Sequence, residues 1–262
     1  MTNTSLTKQQ LYEIYQSNLL MCEVQIDIIK KTINKIIGEY HWNKKHNPKN
    51  SRLHKLEKEL QASQRLYMFL LGSWFELRLY KILYESSQVS FNETELGNIE
   101  QVETIAGKWK KSFEIAIGHI SSTENWRGIT KDYISGMFAN EYFQEIQDVI
   151  TARNKLAHGE SDIQLTKSRK NIKTLELLER VSDMQQSVEF YNKLKGIAEF
   201  LELLVIYKEK DTLNFEQRVD SIVKKINNAG SRVDNKDYKK YIERCVKSFK
   251  SERNRCRADR NI

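Results

Sequence analysis

Apolar residues recur in steps of three, four and five through residues 5–40, at Leu11, Ile14, Tyr15, Leu19, Val24, Ile28, Ile33 and Ile37. That spacing predicts one long helix. The stretch HWNKKHNPKNS, 41–51, gathers asparagines, a proline and charge, and breaks the pattern. A second helix is expected from about Leu53 to Glu85. Its middle, with Tyr67, Met68, Phe69, Leu70, Leu71, Trp74 and Phe75, is apolar almost all the way round, as a helix buried on several sides would be. Residues 86–98 read as a loop. A helix over 99–117 comes next, with Ile105, Trp109, Phe113 and Ile117 four apart. After a break at 118–128 come a short helix near 130–138 and a longer one over 140–158. Gly159 and the polar run ESDIQLTKS end it. A long helix or helix pair covers about 170–209, and NFEQRVDSIVKKINNAG starts a C-terminal helical appendage.

Clean alternation of apolar and polar residues is rare, Pro48 is the only proline, and good helix formers dominate the long stretches. The fold class is therefore all-α. Three segments are expected: an N-terminal helix and basic linker (1–50), a helical core (51–210) and a basic C-terminal helical extension (211–262). The three cysteines, Cys22, Cys245 and Cys256, form no disulfide framework. The first ten residues lack the apolar core of a signal peptide, and the run LYMFLLGSWF (66–75) is too short to span a bilayer. A soluble, cytoplasmic protein with no membrane partner is the expectation.

Charge changes this picture. The chain carries a net +8, but residues 236–262 alone hold +6 and residues 41–58 hold +5. Two basic segments on a near-neutral body suit a polyanionic partner, RNA or DNA. In the tail, Lys239, Lys240, Arg244, Lys247, Lys250 and Arg253 are candidates for gripping RNA backbone, as is Lys155. The competing reading is a solvated helix. His41, His46 and His54 lie in a Lys/Asn-rich stretch without metal-ligand spacing, so neither a metal nor another cofactor is expected.

One residue stands out against the pattern. Projected at about 100° per residue, Ile146, Val149, Ile150, Leu156 and Ala157 share a stripe, and Arg153 falls near its centre. A guanidinium keeps its proton, so it must face an anion, a partner subunit or a cleft. Asn154 and His158, four apart, share one shoulder of the same helix. One turn thus offers a fixed cation, an amide and an imidazole, the parts needed to hold a phosphate and shuttle a proton. Glu76 and Asp148 are the candidate orienting partners. An ion pair between Arg153 and Glu76 alone would be the purely structural alternative.

The motif RNKLAHG (153–159) resembles the signature of the HEPN superfamily: an arginine, a polar residue after it, and a histidine four to six residues on. The order of helices over about 53–208 is also similar. The resemblance implies a HEPN-like helical bundle and a metal-independent endoribonuclease. Such proteins typically form homodimers in which two Arg/His pairs line one cleft. Here Arg153 and His158 lie about 140° apart on an ideal helix, so a second facing copy would gather both pairs. It would also supply Arg153 with its anion and bury the stripe. By the same resemblance Arg153, Asn154 and His158 are catalytic, the ribose 2′-hydroxyl attacks phosphorus, and the substrate is tRNA or mRNA. A toxin or anti-phage (abortive-infection) effector, held by an antitoxin or sensor protein, is the implied setting. The alternative is a non-catalytic HEPN nucleotide- or RNA-binding domain, or a helical adaptor in a larger defence complex.

Overall fold

The computed structural model describes residues 6–85, 90–123, 125–126, 128–159, 176–181, 183–206, 212–234 and 238–258. Over these residues the fold is all-α, apart from a hairpin of two-residue strands, β1 (Asn125–Trp126) and β2 (Ile129–Thr130), in register Asn125 to Thr130.

α1 (Lys8–His46) starts from a capping box, Thr7 and Gln10 each satisfying the other's backbone N–H. It continues through the break expected at 41. Residues 41–46 contain neither glycine nor proline, and Pro48 disfavours the helical conformation only at Asn47, which is the C-cap. α2 (Arg52–Leu83) has its buried middle where the all-round apolar stretch predicts it. Part of the expected loop at 86–98 is helical: α3 (Glu93–Glu100) is launched by a capping box between Asn92 and Glu95. The helix expected at 99 begins instead at Thr104, the N-cap of α4 (Ile105–Gly118).

α5 (Lys131–Met137) runs through one π-helical turn (Phe138–Tyr142) into α6 (Phe143–Ala157). α7 (Glu176–Arg180) and α8 (Met184–Val205) occupy the described part of the stretch expected as a helix or helix pair. The polar run after Gly159 and the beginning of that stretch lie outside the described residues. α9 (Thr212–Asp234) and α10 (Lys239–Ala258) complete the chain.

α2 is the central helix. α1 packs on one side of it and α6 on another, while α8 touches α2 and α4 and carries α9 along its length. α10 lies on α1, closely enough that a Cβ at Gly38 would come within 2.5 Å of the Cys245 carbonyl oxygen. One buried cluster runs from Leu19 to Cys245 and includes Val219 and Ile226, so the first and last helices share the core of the middle segment. Cys22 and Cys245 are buried free thiols, and burial pushes the Cys22 thiol up to about 11. Among the described residues no helix is long and apolar enough to cross a membrane.

The periodic positions of α1 do not all face the core. Leu19, Ile33 and Ile37 are buried, but Ile14, Val24 and Ile28 point into solvent. The five-residue steps, Leu19 to Val24 and Ile28 to Ile33, are the reason: each rotates about 140° and so crosses from one face to the other.

Candidate functional site

The apolar positions of α6 dictate where its arginine goes. Ile146, Val149, Ile150 and Ala152 are buried within the chain's own bundle. The stripe therefore does not wait for a second copy, contrary to the sequence expectation. Arg153 meets α2 at Gly72, where an added Cβ would lie 2.4 Å from Arg153 Cβ and 3.1 Å from the Val149 carbonyl oxygen. A bare backbone at 72 lets the arginine stem pass. One turn further along α2, Glu76 receives it: Arg153 Nη2 lies 2.8 Å from Glu76 Oε2, with the two side chains 31 % and 21 % exposed. The anion that the guanidinium demands thus comes from its own chain, the second departure from the two-copy expectation. Arg153 Nη1 donates to Asn154 Oδ1 at 2.9 Å, and Nε is buried without an acceptor. The arginine is held by its neighbours yet keeps part of its head in water.

His158 caps α6. Its backbone N–H bonds to the Asn154 and Lys155 carbonyls at 3.2 and 3.1 Å, and Gly159 turns the chain away at φ +77°. The imidazole is exposed beside exposed Asn154, while Lys155 is half-buried.

Residues that the motif does not include surround this turn. Gly72, Glu76, Tyr80 and Tyr84 succeed one another at four-residue steps along α2. Tyr80 stacks on Tyr15 of α1 (ring centroids 4.8 Å), Tyr15 stacks in turn on Tyr84 (5.6 Å), and Lys108 Nζ sits 5.5 Å from the Tyr80 ring centre. Burial, reinforced by Glu76 and Glu100, holds the Tyr80 phenol above its ordinary range, and Arg153 partly offsets this. The four-residue step after Glu76 is the signal in the sequence that would have found these tyrosines.

Asp148 belongs elsewhere. It accepts from Gln144 Nε2 at 2.7 Å and lies 3.7 Å from Arg180. Neighbouring Glu145 binds both Arg180 and Lys193, the latter at 2.6 Å. Of the two orienting candidates, only Glu76 meets Arg153.

The basic tail is likewise distant from the α6 turn, but it finds the other basic segment. His41, Trp42, Lys44, Lys45 and His46 from the end of α1, with Lys247 and Lys250 of α10, line a groove of about 520 Å³. Trp42 stacks with the His46 ring (4.6 Å) and has the Arg253 guanidinium over its ring at 4.2 Å. Arg244 covers the Tyr241 ring at 5.8 Å, and Lys239 and Lys240 are exposed at the start of α10. Tyr241 hydrogen-bonds Asn34, and Phe249 rests beside Gly38 on α1, so both are packing residues. The groove lies level with Glu57, which accepts from Tyr40 Oη at 2.6 Å. The rise of α2 from Glu57 to Glu76 is about 28 Å, so the two regions lie at different levels along that helix.

Among the described residues no three His, Cys, Asp or Glu side chains are grouped to hold a metal ion. Compared with family models, curated proteins and solved structures, the chain gives no match.

Proposed function

We propose that the chain is an endoribonuclease of the HEPN kind that cuts RNA without a metal, at the C-terminal end of α6. The observation that carries this reading is the partly exposed Arg153, fixed by Glu76 and Gly72, one turn from the exposed imidazole of His158. In the reaction the ribose 2′-oxygen bonds to phosphorus and the bond to the 5′-oxygen breaks. A 2′,3′-cyclic phosphate and a 5′-hydroxyl remain. One imidazole takes the 2′-hydroxyl proton and another gives a proton to the 5′-oxygen, so two copies of His158 meet across a homodimer cleft. An imidazole can take up or give a proton in either role. A phosphate oxygen replaces Asn154 Oδ1 on Arg153 Nη1, and the guanidinium neutralises the charge that grows on phosphorus. The α1/α10 groove holds a distal part of the same tRNA or mRNA. A toxin or anti-phage effector controlled by an antitoxin or sensor protein is the setting in which such an activity is tolerable.

The test is RNA incubated with the protein in EDTA, with the product ends identified. Arg153→Ala and His158→Ala each lower cleavage by about 10²–10⁴-fold while the fold is kept. Mixing the two inactive variants restores part of the activity if the cleft is shared. Wild-type rates in either variant overturn the proposal. The intrachain Arg153–Glu76 pair favours a second reading, a helical module that binds RNA or a nucleotide without cutting. It predicts retention of RNA with intact ends and no effect of His158→Ala.

A further inference from the structure

α1 carries a second apolar face that the fold leaves uncovered. Ile14, Leu20, Met21, Val24 and Ile28 are 43–60 % exposed. At 100° per residue they fall within a sector of about 120°. The core-facing Leu19, Cys22, Ile26 and Ile33 occupy the opposite side of the helix. A run of large apolar side chains in water over about 21 Å of helix is the mark of an interaction surface.

The polar residues along the stripe say what covers it. Ile14, Met21 and Ile28 are seven apart, the step of a helix–helix seam. Glu13 stands at one end of the face, and Lys31 and Lys35 stand at the other, all three exposed. A parallel copy would set Lys31 against Lys31 and Glu13 against Glu13. An antiparallel copy sets Glu13 of each chain against Lys31 of the other and brings Leu20 level with Val24. A patch that complements itself under a two-fold rotation is what an isologous contact requires. We propose that two copies of the chain pair through α1, antiparallel, about a two-fold axis near Met21. α1 and α6 both pack on α2, and the stripe is on the face of α1 turned away from the core, so this contact does not include the Arg153 turn. It is distinct from the ribonuclease cleft: a wild-type monomer would count against both, whereas the α1 variants and cross-links read this contact alone.

Two measurements test it, both on the full chain. In sedimentation at micromolar concentration, Leu20→Glu/Val24→Glu halves the wild-type particle mass, weakening self-association by at least about 100-fold. Both side chains lie in solvent within one chain, so the variant keeps its circular dichroism, and its Tm falls only by the lost association. In a Cys256→Ser background, Met21→Cys links to itself with a short bis-maleimide and Ile14→Cys does not. A mixture of Ile14→Cys and Ile28→Cys does link. A wild-type monomer of 31.0 kDa, which would leave the stripe to a foreign helix or a lipid surface, overturns the proposal. So does an unchanged mass in the double variant. Self-linking of Ile14→Cys would mean a parallel pair and would overturn it as well.

Discussion

At the end of α6 a single guanidinium is partly buried, paired with one carboxylate and threaded past a glycine; between α1 and α10 four exposed lysines stand over a groove. The first arrangement has few parts, each fixed by a contact to a different helix. The second has many interchangeable parts in water. Charge that is held makes directional chemistry, because its position is known to a reacting atom. Charge that is free makes affinity, because each lysine adds a similar salt-screened increment. If the proposed function holds, net charge locates binding, and the reaction is found from a cation that interrupts an apolar pattern.

The contrast between held and free charge can be probed at several points. Gly72→Ala should have the largest effect. The new Cβ forces α2 and α6 apart at Arg153, and a displacement of about 1 Å lowers cleavage by roughly 10²-fold. The same change costs about 1–3 kcal/mol in a denaturation curve. Reversing Lys44, Lys45, Lys247 and Lys250 to glutamate should leave the single-turnover rate at saturating RNA unchanged. It should flatten the dependence of log affinity on log salt by about 3, some 0.7 for each phosphate no longer neutralised. A slower turnover in that variant would erase the distinction between the two regions. Glu76→Gln should lower stability by about 1–2 kcal/mol, less than for a sealed ion pair because part of Arg153 is hydrated. The smallest effect concerns pH. Burial, and then Lys44, hold the His41 imidazole below its ordinary range. The unfolded chain therefore takes up that proton first, and stability present above about pH 6.5 is lost as pH falls below it. His41→Gln should remove this slope in melts between about pH 5 and 7.

Most helices are legible as periodicity, and Arg153 is legible because it contradicts a periodicity. Its partner Glu76 can be nominated from the sequence, but nothing local separates it from Asp148. Only the packing of α6 on α2 does that. Gly72 carries no signal of its own, since a close approach is a property of two helices together. The start of α3 is readable in the Asn92 and Glu95 pair, which the surrounding polar residues obscure. The end of α1 resembles a loop because its residues are charged and polar, although each of them is compatible with a helix. Its outward face is hidden among the core positions, because spacing reports that residues recur and not which side they take. The joining of the two basic segments, some 200 residues apart, is beyond any local rule.

The π turn before α6 has a consequence for engineering the chain. Its N–H of Phe143 bonds to the carbonyl of Phe138, closing a ring with one residue more than an α-helical turn holds. Ala139, Asn140 and Glu141 bulge outward while Phe138 and Tyr142 stay buried. The wide turn thus accommodates one more residue than a regular turn between α5 and α6. Deleting Asn140 should close the bulge and leave Arg153 aimed at α2. Deleting one residue from the regular turns of α6 before the arginine would swing it about 100° out of reach.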